Sequence, residues 1–159
     1  MREPDHPGRV AALYTAPGAA TTLTAHAEVE VVAGRGVVGD RYFAGTGTFF
    51  RDGKDGQDLT LIEQEALDAL AAGGIALDGA QARRNVVTAG IDLNALVGQR
   101  FTVGDVECYG RRLCEPCSHL QRLTEPGVLR ALAHRGGLRA DVLRGGTVRV
   151  GDPVAPVAR

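Results

Sequence analysis

At 159 residues with 44% hydrophobic side chains, the chain can bury one core and is too short for two typical domains, so residues 1–159 are read as a single domain. A formal net charge of -1 and a pI near 6.4 lack the footprint of a general nucleic-acid binder, and no nucleic-acid partner is expected. Three cysteines are too few for a disulfide-stapled secreted scaffold. Residues 1–7 hold Arg2, Glu3, Pro4, Asp5 and His6 without an apolar run of signal or membrane-helix length, so a soluble, cytoplasmic protein with no membrane partner is expected.

The 22 glycines and 7 prolines are spread along the chain, marking frequent turns and many short elements. Residues 10–15 and 28–32 read as strands by apolar run or alternation, and residues 59–62 as another. A helix is expected over residues 63–72, with Ala66, Leu67 and Leu70 at helical spacing and Gly73-Gly74 as its stop. Before it, residues 35–57 form a long loop with glycines around Tyr42, Phe43, Phe49 and Phe50. Four aromatics suit a pocket-lining or lid loop better than a flexible linker.

Further strands are expected at residues 86–88, 100–103 and 106–109, the last two joined through a Gly104-Asp105 turn. A short helix over residues 128–134, started by Pro126, leads to a final strand pair, 138–143 and 147–150, across Gly145-Gly146. Residues 152–159 read as a Pro-containing tail. Many short strands with two or three inserted helices favour a mainly β, closed or nearly closed barrel over a doubly wound sheet.

The sharpest chemical constellation is Arg111-Arg112-Leu113-Cys114-Glu115-Pro116-Cys117-Ser118-His119. A Cys-x-x-Cys pair can form a redox disulfide, give two thiolates to a metal, or hold one working thiol beside a bystander; the alternative without chemistry is two buried small side chains. Neighbouring guanidiniums favour the thiolate, the form that attacks sulfur or binds metal. A closed zinc site is disfavoured, because beyond these cysteines the chain offers only His6, His26, His119 and His134 without a second close pair. Thioredoxin-like chemistry fits poorly in β-rich surroundings. Cys108, in an alternating stretch, reads as a packed residue.

A second group, Arg83-Arg84-Asn85-Val86-Val87, sets two guanidiniums and an amide before a strand, where they can clamp a phosphate or form a solvated loop. In a third, Val37-Val38-Gly39-Asp40-Arg41-Tyr42, Gly39 permits a sharp approach and Arg41 can face an anion, although Gly-Asp alone signals only a turn.

In this order the motifs resemble those of the MOSC family, named for the C-terminal domain of molybdenum cofactor sulfurase, from about residue 10 to residue 154. Gly36-Val37-Val38-Gly39-Asp40-Arg41 resembles the opening motif, and Arg83-Arg84-Asn85-Val86-Val87 with Gly90-Ile91-Asp92-Leu93 the central one. Pro116-Cys117 resembles the cysteine motif, and Gly145-Gly146 through Gly151-Asp152 the closing strand pair. The resemblance implies a MOSC-type β-barrel with a few peripheral α-helices and a pocket for molybdenum cofactor (molybdopterin) or its sulfur. It implies that Cys117 is the metal or persulfide cysteine, and that Arg41, Arg83 and Asn85 match the pterin-phosphate clamp of the family's cofactor-bearing reductases. Arg84 replaces the proline that those reductases tend to carry, and Cys114 lies outside the family's core pattern.

Three functions are compatible with the resemblance. They are molybdenum-dependent reduction of N-hydroxylated compounds with a separate redox partner, persulfide carriage fed by a sulfur-donating desulfurase, and non-catalytic cofactor storage or delivery. Pyridoxal phosphate is not expected: its Schiff base requires lysine, and Lys54, the sole lysine, lies in a glycine-rich loop with no recognisable phosphate cup.

Overall fold

Short runs of β-branched and apolar residues, closed off by glycine, become the strands of the computed structural model, which describes residues 8–16, 23–40, 56–74, 83–113 and 137–157. Strands β1 (Gly8–Thr15), β2 (Thr24–His26), β3 (Glu28–Val32), β4 (Gly36–Val37) and β5 (Leu59–Glu63) precede helix α1 (Gln64–Ala72). They are followed by β6 (Val86–Ala89), a 3-10 turn (Leu93–Leu96), β7 (Arg100–Val103), β8 (Val106–Leu113), β9 (Leu138–Arg144), β10 (Gly146–Arg149) and β11 (Pro153–Pro156).

The larger sheet runs β11-β7-β8-β9-β5-β6-β1-β2, and β11 pairs back onto β1, so seven strands close into a barrel. One edge of β1 is shared: β11 takes its Gly8 end and β2 its Thr15 end. The pairs are antiparallel except β5–β6, which is parallel and therefore needs a crossover, the connection that contains α1. A second sheet, β10-β3-β4, delivers Val29, Val31, Val37 and Val148 to the barrel core.

That core joins Val10 and Leu13 of β1, Leu61 of β5, Val86 of β6, Phe101 of β7, Cys108 of β8 and Leu138 of β9, so the segments on either side of residues 114–136 share one interior. Each such aliphatic or aromatic side chain contributes roughly 1.5–3 kcal/mol on burial. On the barrel's outer side, Ile62 and Val87 pack against Ala66, Leu67 and Leu70 of α1. Covering both faces explains why Leu59, Thr60, Leu61 and Ile62 of β5 are all buried. The helix start is tied to the β6 side: Glu63 Oε2 accepts from Leu93 N at 2.9 Å and Glu65 Oε2 from Gly90 N at 2.8 Å.

The expected mainly β barrel is observed, and so is the Gly104-Asp105 hairpin, with Val103 opposite Val106. Two expectations are corrected. Residues 138–143 and 147–150 do not pair with each other, because β9 lies between β8 and β5 while β10 joins β3 in the second sheet. Gly145 is where the chain changes sheets; a Cβ there would collide with the Val31 carbonyl, so the glycine serves close backbone approach. The Pro-containing tail is in part strand β11. Pro153 opens that strand, where a missing N–H is tolerated, and Val154 is fully buried opposite Val103. The start of the long loop forms β4, and β2 was not foreseen; the expected helix over 128–134 lies outside the described residues. Among the described residues no helix is long and apolar enough to cross a membrane.

Candidate functional site

Alternation along each strand sends every second residue to the outside of the barrel. At the start of β6 this places Asn85 outside, next to Thr60 on β5. Asn85 Oδ1 accepts from Thr60 N at 3.2 Å and Thr60 Oγ1 at 3.1 Å, while Asn85 N donates to Thr60 Oγ1 at 3.0 Å. Toward β1, Asn85 Nδ2 donates to the Tyr14 carbonyl at 3.2 Å and Tyr14 N donates to the Asn85 carbonyl at 2.8 Å. Asn85 and Thr60 are each only 3% exposed, so this is a buried knot tying β1, β5 and β6.

Arg83 stands immediately before the knot with φ 60, and among the described residues it is the one non-glycine in the left-handed region. A long side chain held there costs roughly 1–3 kcal/mol, a strain that persists only where neighbouring structure imposes it. Arg84 is buried, at 8% exposure.

The same outer row continues from Thr60 to Arg139 on β9 and Arg112 on β8, which are register partners. Like charges directly opposite on neighbouring strands disfavour one another unless negative charge lies nearby. From Arg112 to Asn85 the row crosses three strand spacings, about 14 Å. One residue further, Leu113 pairs with Leu138, and segment 114–136 leaves and returns beside this pair. Next to Arg112, β8 bulges at Arg111, whose Nε donates to Asp141 Oδ2 at 2.5 Å and whose guanidinium lies 4.6 Å from the Tyr109 ring centroid. Asp141 Oδ1 also accepts from Gly56 N at 2.6 Å.

Nearby, Asp58 Oδ2 accepts from Val142 N at 3.0 Å. Burial raises the Asp58 carboxyl above its ordinary value, the Val142 bond opposes that, and the charge of Asp141 adds to it. Cys108, fully buried opposite Phe101 and Val142, has its thiol pushed up to about 12, first by burial and then by Asp58, Glu107 and Asp141. It is a packed core residue, unreactive as a nucleophile.

The family model of the MOSC domain matches residues 50–155, two thirds of the sequence. The chain belongs to the MOSC domain family. The fold of this MOSC domain is similar to that of YuaD from Bacillus subtilis, with TM-score 0.76 and 19% identity over 92% of this chain and 93% of that one. YiiM from Geobacillus stearothermophilus is also similar, with TM-score 0.72 and 17% identity over 96% of this chain and 76% of that one. YiiM from Escherichia coli aligns with TM-score 0.66 and 18% identity over 96% of this chain and 69% of that one. No curated protein matches the sequence.

Of the residues singled out from sequence in this MOSC domain, Arg83 and Asn85 lie together at the head of β6, while Arg41, Cys114 and Cys117 lie outside the described residues. The residue before Arg41 is fixed: Asp40 is buried and its Oδ1 accepts from Ala16 N at 3.0 Å. Beside it on β1, Thr15 Oγ1 and His26 Nε2 share a hydrogen bond of 2.7 Å. Sequence reasoning missed Arg139 and Asp141. Their only signal was a charge at every second position of Leu138-Arg139-Ala140-Asp141-Val142, the outward face of a strand. Among the described residues no three His, Cys, Asp or Glu side chains converge as a metal site.

Proposed function

We propose that this MOSC domain binds molybdenum cofactor, with Cys117 as thiolate ligand and its guanidiniums holding the pterin phosphate, and reduces N-hydroxylated compounds with electrons from a separate redox partner. The observation that carries this reading is the outer row: Arg139 stands next to the Thr60–Asn85 knot with Arg112 one strand beyond it, Arg83 heads β6, and the segment containing Cys117 follows the Leu113–Leu138 pair in sequence. The donor chemistry fits the group. Guanidiniums are permanently charged and forked, as phosphate recognition requires, and thiolate is a soft ligand suited to molybdenum.

When bound, the cofactor supplies two-electron redox chemistry at molybdenum. The chain's own residues bind and orient. Arg83 and Arg41 present forks to the phosphate, with Arg112 and Arg139 adding positive charge along the row. Asn85 acts one step back: Thr60 donates twice to its Oδ1, so the amide fixes the backbone that presents Arg83. The strain stored at Arg83 is consistent with a side chain kept in place for a ligand.

The test is the molybdenum content and oxidised-pterin fluorescence of protein purified with oxygen limited, for wild type, Arg83→Lys and Arg83→Ala. The wild type is expected to retain both, and both variants to retain less, because lysine keeps the charge and loses the fork. Equal retention in all three removes the clamp. A sulfur mass increment on Cys117 without molybdenum or pterin replaces the reading by persulfide carriage, and cofactor without donor-dependent turnover replaces it by storage or delivery.

A further inference from the structure

Asp141 stands where three stretches of chain meet. One carboxylate oxygen receives the Gly56 N–H at 2.6 Å and the other receives Arg111 Nε at 2.5 Å, so each oxygen serves a segment distant in sequence. Arg111 is the bulged residue of β8, released from the regular alternation, and its direction is set by this ion pair and by the ring of Tyr109, the register partner of Asp141. Asp58, two residues beyond Gly56, makes a second attachment to the same strand through Val142 N. Position 56 also favours glycine, because its φ is 72. In sequence, Gly56 closes the segment 41–55 that begins with Arg41, and Arg111 stands six residues before Cys117.

We propose that Asp141 is a positioning residue of the site. With one oxygen each, its carboxylate fixes the end of the segment carrying Arg41 and the start of the segment carrying Cys117, and it couples the two. The proposal rests on the functional reading above for what Arg41 and Cys117 hold; the coupling concerns only the chain's own residues. Neutral Asp141→Asn keeps an acceptor for Gly56 N and loses the charge-assisted pair with Arg111. Arg111→Gln removes the pair from the other side, on an exposed side chain whose replacement leaves the core untouched.

The sequence supplies its own reporters. Lys54 is the only lysine and lies two residues before Gly56, so a lysine-specific protease has one cleavage site. In a Cys114→Ser background the thiols are Cys117 and the buried Cys108, whose modification reports global unfolding. Cleavage at Lys54 and alkylation of each thiol are measured in the background protein, with Asp141→Asn, with Arg111→Gln, and with both. Asp141→Asn is expected to change the Lys54 cleavage rate and the Cys117 alkylation rate together by about fivefold, the size of effect for a partly exposed ion pair. Arg111→Gln is expected to move both in the same direction, since coupling is reciprocal, and the double variant to add little.

Cys108 is expected to stay unmodified throughout. Equal rates in all four proteins overturn the proposal, as does a change at Lys54 without one at Cys117. Modification of Cys108 in step with Cys117 reduces Asp141 to a general stability role; if Asp141→Asn fails to fold, Arg111→Gln alone decides by the same criteria. Molybdenum content, measured on the same samples, separates the two readings. Its absence from the background protein with both rates responding removes the cofactor reading and keeps the coupling, whereas its presence with unresponsive rates does the reverse.

Discussion

Replacing Asn85 by alanine should be among the most damaging single changes outside the apolar core. The side chain receives two hydrogen bonds from Thr60 and gives one to the Tyr14 carbonyl, and both Asn85 and Thr60 are buried. Truncation would strand the Thr60 N–H, the Thr60 hydroxyl proton and the Tyr14 carbonyl. A buried polar group left without a partner costs about 1–3 kcal/mol, and with neighbouring losses partly overlapping the total is about 3–5 kcal/mol. That is a large share of the roughly 5–15 kcal/mol stability of an ordinary domain. At about 2–4 °C per kcal/mol for a chain of this size, the midpoint of thermal unfolding should fall by roughly 10 °C.

Asn85→Asp refines the test. It keeps both acceptor bonds to Thr60 and turns the donor facing the Tyr14 carbonyl into an oxygen, so the ionised form is repelled while the protonated form can donate. Its folded-state pKa should therefore be raised, and the stabilising interaction should be present in acid and lost as pH rises through that pKa. Chemical denaturation of both variants between acidic and neutral pH checks this. A loss below about 1 kcal/mol for Asn85→Ala, with no pH-dependent recovery in Asn85→Asp, would refute the knot as the anchor of β1, β5 and β6.

Arg83→Gly relieves a positive φ, so thermal unfolding should shift upward by the equivalent of about 1 kcal/mol while cofactor retention falls; a downward shift would mean that the arginine side chain contributes more to folding than its backbone costs. Asp58 has a raised folded-state carboxyl, so its contribution is present below the ordinary carboxylate range and lost as pH rises through the folded value. Asp58→Asn, which still offers Val142 N an acceptor, should be more stable than wild type at neutral pH, with the difference vanishing in acid; a variant less stable at every pH contradicts this.

What was legible in the sequence was whatever one strand records by itself. The alternation in Glu28–Val32 and the turn signal between Arg100–Val103 and Val106–Leu113 identify these strands directly. β2 and β4 are too short to carry a period, and Pro153 disguises β11, whose role as the closing strand follows only from Val154 pairing with Val103 of β7 on one side and Gly8 of β1 on the other. Partner choice was not legible either: Gly145-Gly146 has the composition of a hairpin turn, yet close approach to the Val31 carbonyl sends β10 to another sheet.

The site divides in the same way. Arg83 and Asn85 announce themselves as a polar group before an apolar strand, but Thr60, which engages the Asn85 amide, lies 25 residues away. Arg111, which meets Asp141, stands where β8 bulges between Gly110 and Arg112, and Gly56 reaches the same carboxylate from 85 residues away; no local pattern encodes either.

The most direct test of the central claim is the molybdenum content of natively purified Cys117→Ser and Cys114→Ser proteins beside wild type, with folding verified for each. Serine nearly preserves size and removes the soft thiolate. Wild type and Cys114→Ser are expected to carry molybdenum, with at most partial loss in the latter, and folded Cys117→Ser to carry none. Undiminished molybdenum in Cys117→Ser, or loss confined to Cys114→Ser, would contradict the account.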